Sequence, residues 1–209
     1  MGTLEVKICG LTAEADVVAA CEAGADYLGF VLYPPSVRAV SVVRLAELVA
    51  AAGAGARTVG VFVNEPPERV RQVAADCGLY AVQLHGDERP EAYAGVAAHV
   101  WRAVRVQGDV CQPDPALWAA ERVIVDALVP GRYGGAGVTA DWEAAARLAR
   151  RYAVLLAGGL TPENVSEAVR RVGPRGVDVA GGVEQAPGRK DHEKIRRFIA
   201  AARQAAAAA

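Results

Sequence analysis

No stretch of the chain approaches the ~18 uninterrupted apolar residues of a membrane-spanning helix, and its start, MGTLEVKICGLT, lacks the basic and then apolar segments of a secretory signal. Neither sign of charge predominates. Lys+Arg number 23 against 24 Asp+Glu, a formal net charge of -1 with no block of one sign, so the electrostatic footprint of a nucleic-acid or anionic-membrane binder is missing. The four cysteines, Cys9, Cys21, Cys77 and Cys111, contain no C-x-x-C pair, which argues against a zinc site and a disulfide framework. The three histidines have no H-x-x-x-H spacing, and a closed transition-metal site is not expected. Gly 22 and Pro 11 show neither collagen-like nor low-complexity excess. These absences predict a cytoplasmic protein, monomer or homodimer, whose partner is a small molecule rather than nucleic acid or membrane.

What is present is a globular balance. Hydrophobic residues make up 53% and charged residues 22% of 209, enough for one large core, and residues 1–209 read as a single domain. The run Ala205 to Ala209 reads as a fraying helix end.

Short apolar, β-branched runs alternate with helical patterns along the whole chain. Expected strands are Leu4–Cys9, Tyr27–Leu32, Thr58–Val63, Ala81–His85, His99–Val106, Arg122–Asp126, Ala153–Ala157 and Gly176–Ala180. Helical spacing links Val17, Ala20, Cys21 and Gly24; Leu45, Leu48, Val49 and Ala52; Val70, Val73, Ala74 and Cys77; Val165, Ala168, Val169 and Val172; Ile195, Phe198, Ile199 and Ala202. Weaker helical segments fall at Arg89–Ala98, Pro115–Glu121 and Asp141–Arg151, and Thr161-Pro162 reads as a helix start. Strict alternation implies a parallel sheet covered by helices. Eight such units in this length match a closed α/β (β/α)8 TIM barrel better than an open doubly wound sheet.

Barrel active sites lie at the C-terminal strand ends. Those ends supply Cys9, Asn64, His85, Asp126 and the turns near Gly158 and Gly181. Side chains alternate along a strand, so if Val6, Ile8, Val125, Val177 and Val179 face the helices, then Lys7, Cys9, Asp126 and Asp178 face the interior, with His85 beside them. Each has a plainer reading: Cys9 as buried filler, Asp126 or Asp178 as a structural partner of Lys7, His85 as a strand cap on a backbone carbonyl. His99 and His192 read as surface residues.

Two glycine pairs, Gly158-Gly159 and Gly181-Gly182, follow the seventh and eighth expected strands, where barrels commonly bind phosphate. A third run, Gly134-Gly135-Ala136-Gly137, fits G-x-G-x-x-A with Ala140 but sits away from a strand, and reads as a loop over the site.

Together these segments carry a family likeness. Lys7-Ile8-Cys9-Gly10-Leu11-Thr12, Gly29-Phe30-Val31 leading to Ser36-Val37-Arg38, Val59 through Asn64, Gln83-Leu84-His85-Gly86, Leu156 through Leu160 with Asn164-Val165, and Val177-Asp178 through Gly182-Val183-Glu184 to Gly188-Arg189-Lys190-Asp191 resemble the phosphoribosylanthranilate isomerase family of tryptophan biosynthesis. The likeness runs from Lys7 to about Phe198. It departs at Val37, where the family pattern has proline, at Ala136 in the glycine run, and at Ala180 and Gly181, where serines are expected.

The resemblance implies a cofactor-free Amadori rearrangement of a phosphosugar, with Asp126 as acid and Cys9 as base. It further implies that Arg38 grips the anthranilate carboxylate and that His85 and Asp178 line the site. Unperturbed pKa values of about 3.9 and 8.5 are the wrong way round for those roles, so burial is expected to raise Asp126 and cationic Lys7 to favour the Cys9 thiolate. Rivals are another phosphosugar barrel enzyme, such as an epimerase, which needs metal-ligating histidines, or indoleglycerol-phosphate synthase, which needs several interior lysines. A non-catalytic phospholigand barrel has no use for Cys9 and Asp126 together.

Overall fold

Runs such as VGVFV and RVIVDA, apolar on both faces, suit strands covered on both sides, and eight of them close a parallel barrel. The computed structural model describes residues 3–127 and 140–208. The barrel strands are β1 (Glu5–Cys9), β2 (Tyr27–Val31), β3 (Thr58–Phe62), β4 (Ala81–Leu84), β5 (Val100–Gln107), β6 (Arg122–Ala127), β7 (Val154–Leu156) and β8 (Gly176–Val179). They pair in the order 4-3-2-1-8-7-6-5, and β4 pairing with β5 closes the ring.

Six α-helices are present among the described residues: α1 (Glu14–Glu22), α2 (Val42–Ala52), α3 (Pro67–Asp76), α4 (Trp142–Ala149), α5 (Val165–Val172) and α6 (His192–Ala207). Side-chain caps start three of them: Ser41 accepts the Arg44 N–H, Asp141 those of Glu143 and Ala144, and Asp191 those of Glu193 and Lys194. The start expected at Thr161-Pro162 is displaced. Thr161 Oγ1 accepts the Glu163 N–H within a turn, and the α-helix begins only at Val165. The apolar faces of α5 and α6 are as the spacing predicts, with Val165, Ala168, Val169 and Val172 all buried, as are Ile195, Phe198, Ile199 and Ala202, whereas α1 ends at Glu22 and Gly24 of its expected face lies exposed beyond it at φ 85°.

Two expected helices are replaced. Residues 89–98 form only a 3-10 turn at Pro90–Tyr93, and residues 115–121 only one at Pro115–Leu117. Where a helix would cover β4 and β5, the outward side chain of Arg102 is wholly buried and bonds the Leu84 carbonyl at 2.8 Å, the Gly86 carbonyl at 2.6 Å and Glu88 Oε2 at 2.6 Å. Trp118 lies over its guanidinium at 4.7 Å. Beyond Gly108, strand Val110–Gln112 folds back antiparallel on β5, occupying the chain that a longer crossover helix would need.

The alternation of side chains holds throughout. Val6, Ile8, Val123, Val125, Val177 and Val179 join the layer between sheet and helices. Tyr27, Val59, Ala81, Trp101, Ala103, Ile124, Leu155 and Ala157 fill the barrel interior. Above that plug the inward positions turn polar, and the site begins there.

Candidate active site

Lys7 and Cys9 are two apart on β1, so both point inward, one above the other. The Lys7 ammonium is fully buried and donates to both oxygens of Asp178 at 3.0 Å, its register partner on β8. Of the two carboxylates named as partners for Lys7, Asp178 is the one that takes it. Burial works to lower the Lys7 pKa, but Asp178 and Cys9 outweigh it and hold it above the ordinary lysine value. Gly29 on β2 makes the room. A Cβ there would stand 2.8 Å from Cys9 Sγ and 3.0 Å from Lys7 Cε.

The Cys9 thiol sits higher than an ordinary thiol: burial raises it, Lys7 pulls it down, and Asp178 raises it again. The expected bias toward thiolate is therefore present in Lys7 but overcome by desolvation. Burial thus favours the thiol over the thiolate in the empty site.

Asp126, at the end of β6, accepts the N–H of Ala127 at 2.8 Å through Oδ1 and presents Oδ2 to His85 Nε2 at 3.7 Å. His85 follows β4. Its Nδ1 lies 3.0 Å from Gln83 Nε2, a side-chain contact rather than the backbone cap set against its functional reading. Asn64, also named at a strand end, turns away from the site; its φ of 54° and its Oδ1, which accepts the Asp87 N–H, tie the β3 end to the loop after β4. His99 and His192 are half-exposed and pair with Glu121 and Asp16.

Arg38 lies in the bend after β2. Its Nε and Nη2 donate to Glu184 at 2.7 and 2.8 Å, a bidentate grip that raises the Arg38 pKa and, with Lys190, holds Glu184 below the ordinary carboxylate value although burial opposes this. Two donors of the fork are thus spent, and the end bearing Nη1 is left to meet a ligand. Gly10, at φ 71°, permits the approach: a Cβ there would stand 2.5 Å from Arg38 Cδ.

The two glycine pairs meet over one mouth. Gly158 and Gly159 have φ of 79° and 62°, and Gly181 and Gly182 begin the 3-10 turn Gly181–Val183. Their reasons for being glycine differ. A Cβ at Gly182 would lie 1.8 Å from the Leu160 carbonyl and one at Gly158 2.9 Å from Asp126 Oδ1, whereas one at Gly181 would meet only Arg38 Nη2 at 3.3 Å and Glu184 Oε2 at 4.0 Å.

Cys9, Arg38, His85, Asp126, Asp178 and all four glycines line a single cavity of about 960 Å³ at the C-terminal strand ends, and Lys7 lies beneath it. Gly134 to Gly137, expected to cover the site, lie outside the described residues. The functional reading of the sequence passed over three contributors: Gly29, and the pair Glu184 and Lys190 in the closing GVE and RKD segments. Charged residues in a short hairpin normally signal a solvated surface, and only their burial reveals them.

Residues 6–201 match the model of the N-(5'phosphoribosyl)anthranilate (PRA) isomerase family. The N-(5'-phosphoribosyl)anthranilate isomerase of Roseiflexus castenholzii (strain DSM 13941 / HLO8) is 51% identical over 213 residues, covering 96% of this chain and 99% of the relative. Among solved structures, monomers generated from the dimeric phosphoribosylanthranilate isomerase of Thermotoga maritima match with a TM-score of 0.82 at 37% identity, over 96% of this chain and 99% of that one. A phosphoribosylanthranilate isomerase in complex with reduced 1-(o-carboxyphenylamino)-1-deoxyribulose 5-phosphate matches with a TM-score of 0.83 at 36% identity, over the same shares.

Proposed function

The chain belongs to the N-(5'-phosphoribosyl)anthranilate isomerase family, and from that membership we propose how its own residues carry the reaction. The enzyme converts N-(5'-phosphoribosyl)anthranilate to 1-(2-carboxyphenylamino)-1-deoxyribulose 5-phosphate in tryptophan biosynthesis, an Amadori rearrangement.

Asp126 gives its proton to the ribose ring oxygen. The C1–O bond breaks and the anthranilate nitrogen supplies the electrons, leaving a cationic iminium. Cys9 then takes the C2 proton, and the enolamine tautomerises to the ketone. Burial disfavours the thiolate while the site is empty; the cationic iminium favours it, the thiol proton leaves to solvent, and the thiolate so formed is the base that takes the C2 proton. Lys7 and Asp178 form the charged floor, and His85 orients the ribose. The free end of the Arg38 fork takes the anthranilate carboxylate, and the backbone of Gly158, Gly159, Gly181 and Gly182 takes the phosphate. No cofactor enters any step.

The observation that carries this reading is the placement of Cys9 and Asp126, on strands separated by β7 and β8, in the wall of one cavity that also holds both glycine turns and Arg38. We read residues 1–209 as one catalytic barrel, which the match over residues 6–201 supports. The four free cysteines support the cytoplasm as its compartment. Monomer and homodimer both suit the site, and the dimeric Thermotoga maritima relative supports the second. Incubating the protein with phosphoribosylanthranilate and following the loss of its anthranilate-type fluorescence tests the activity; unchanged fluorescence with folded protein rejects it.

A further inference from the structure

Lys190 carries a fully buried ammonium in the short hairpin formed by Glu184–Ala186 and Arg189–Lys190. The amine has three partners, each an acceptor only: the Cys9 carbonyl at 2.7 Å, the Ala180 carbonyl at 3.0 Å and Glu184 Oε1 at 3.1 Å. Three acceptors require three N–H bonds, so the group is bonded as an ammonium, while burial outweighs Glu184 and Cys9 and holds its pKa below the ordinary lysine value.

Each partner belongs to a different part of the site. Cys9 is the end of β1, Ala180 leads directly into Gly181-Gly182, and Glu184 holds Arg38 through both carboxylate oxygens, its Oε1 accepting from Arg38 Nε and Lys190 Nζ together. The hairpin itself needs no lysine here, because its backbone pairing and the Asp16 carboxylate on the Lys190 N–H already fix the strand. An apolar side chain of the same length usually packs into such a place with less desolvation cost than a charge.

We propose that Lys190 is a positioning residue of the isomerase: one buried ammonium sets the base strand, the phosphate turn and, through Glu184, the carboxylate clamp in register, with Glu184 as the counterion shared between Lys190 and Arg38. The proposal rests on the reading of Cys9 as base.

The charged groups around the thiol are Lys7 on its own strand, Asp178 on β8, Arg38 in the bend after β2, and Lys190 with Glu184 in the hairpin. Lys190 favours the Cys9 thiolate, and Glu184 supports the charge of Lys190 and anchors Arg38, so the two variants separate the charge beside the base from the clamp.

The test is alkylation of Cys9 by iodoacetamide across pH, resolved from the other cysteines by peptide mass spectrometry, together with kcat and KM for phosphoribosylanthranilate. Lys190→Met is expected to move the alkylation midpoint up by about one pH unit and to lower kcat about tenfold or more. Glu184→Gln is expected to raise KM more than it lowers kcat, because Arg38 loses its anchor. A midpoint that stays put in folded Lys190→Met, or a KM unchanged in folded Glu184→Gln, overturns the proposal. If Lys190→Met does not fold, Glu184→Gln decides alone: an unchanged KM in that variant rejects it. Near wild-type turnover of Cys9→Ser removes the base reading while leaving the alkylation shift standing, so the two failures are distinguishable.

Discussion

The four site glycines look alike in sequence, yet a single added methyl group separates them. At Gly182 it meets the Leu160 carbonyl, which cannot yield, so Gly182→Ala is expected to lower Tm sharply. At Gly181 the nearest atom is the tip of Arg38, and Gly181→Val is expected to leave Tm within a few degrees but raise KM about tenfold or more by blocking the phosphate and crowding the clamp. Competitive inhibition by inorganic phosphate, weakened in the same variant, checks that the lost contact is the phosphate one; an unchanged KM moves the phosphate elsewhere. Arg38→Lys keeps the charge but cannot hold Glu184 bidentately and meet a carboxylate at once, so KM rises for the substrate and not for an analogue lacking the carboxylate. Cys9, Asp126 and Asp178 were legible as single residues because strand parity and the family likeness agree on them, and Arg38 through the likeness alone. Lys190 and Glu184 were not, since a short charged hairpin carries no signal of burial.

At the scale of elements, six of the eight segments that follow a barrel strand carry an α-helix and two do not. Arg89–Ala98 contains Pro90 and Gly95, and Gly95 adopts φ 69°, so a continuous helix was poorly encoded there despite the apolar spacing. What covers the strands instead is an ion pair. Arg102 and Glu88 have no exposed side-chain surface, and both hold the loop carrying His85: Arg102 through the Leu84 and Gly86 carbonyls, Glu88 through the N–H groups of Gly86 and Asn64. Arg102→Met leaves the Glu88 charge buried without its partner, at a cost of about 3–5 kcal/mol. Denaturant titration reads that loss, and the double variant Arg102→Met/Glu88→Gln is expected to recover part of it. Equal stability of wild type and Arg102→Met contradicts this account of the helix-free crossover.

For the whole molecule, closure of the ring depends on both ends of the barrel. At the end opposite the active site, Glu5 accepts two hydrogen bonds from Arg122 and one from Arg175, joining β1, β6 and the segment before β8. Burial raises its pKa, but the two arginines win and hold it below the ordinary 4.5; Glu184 is likewise depressed, against burial, by Arg38 and Lys190. A folded pKa below the unfolded one contributes stability that is complete above about pH 4.5 and is lost as pH falls through the folded values. Tm is therefore expected to drop on acidification below about pH 5, and less steeply in Glu5→Gln, which starts lower at neutral pH; parallel curves for the two proteins contradict the assignment. The barrel as a whole was legible from eight alternating units, whereas the coupling between its strands through buried charges appears only in three dimensions.

The central claim is that Cys9 and Asp126 divide the proton transfers. The most direct test is turnover of phosphoribosylanthranilate by folded Cys9→Ser beside Asp126→Asn, each still binding a product analogue. The account predicts that kcat falls by about 10²–10⁴ or more in both. Near wild-type turnover in either would contradict it, and for Cys9 would leave only a buried apolar filler at the end of β1.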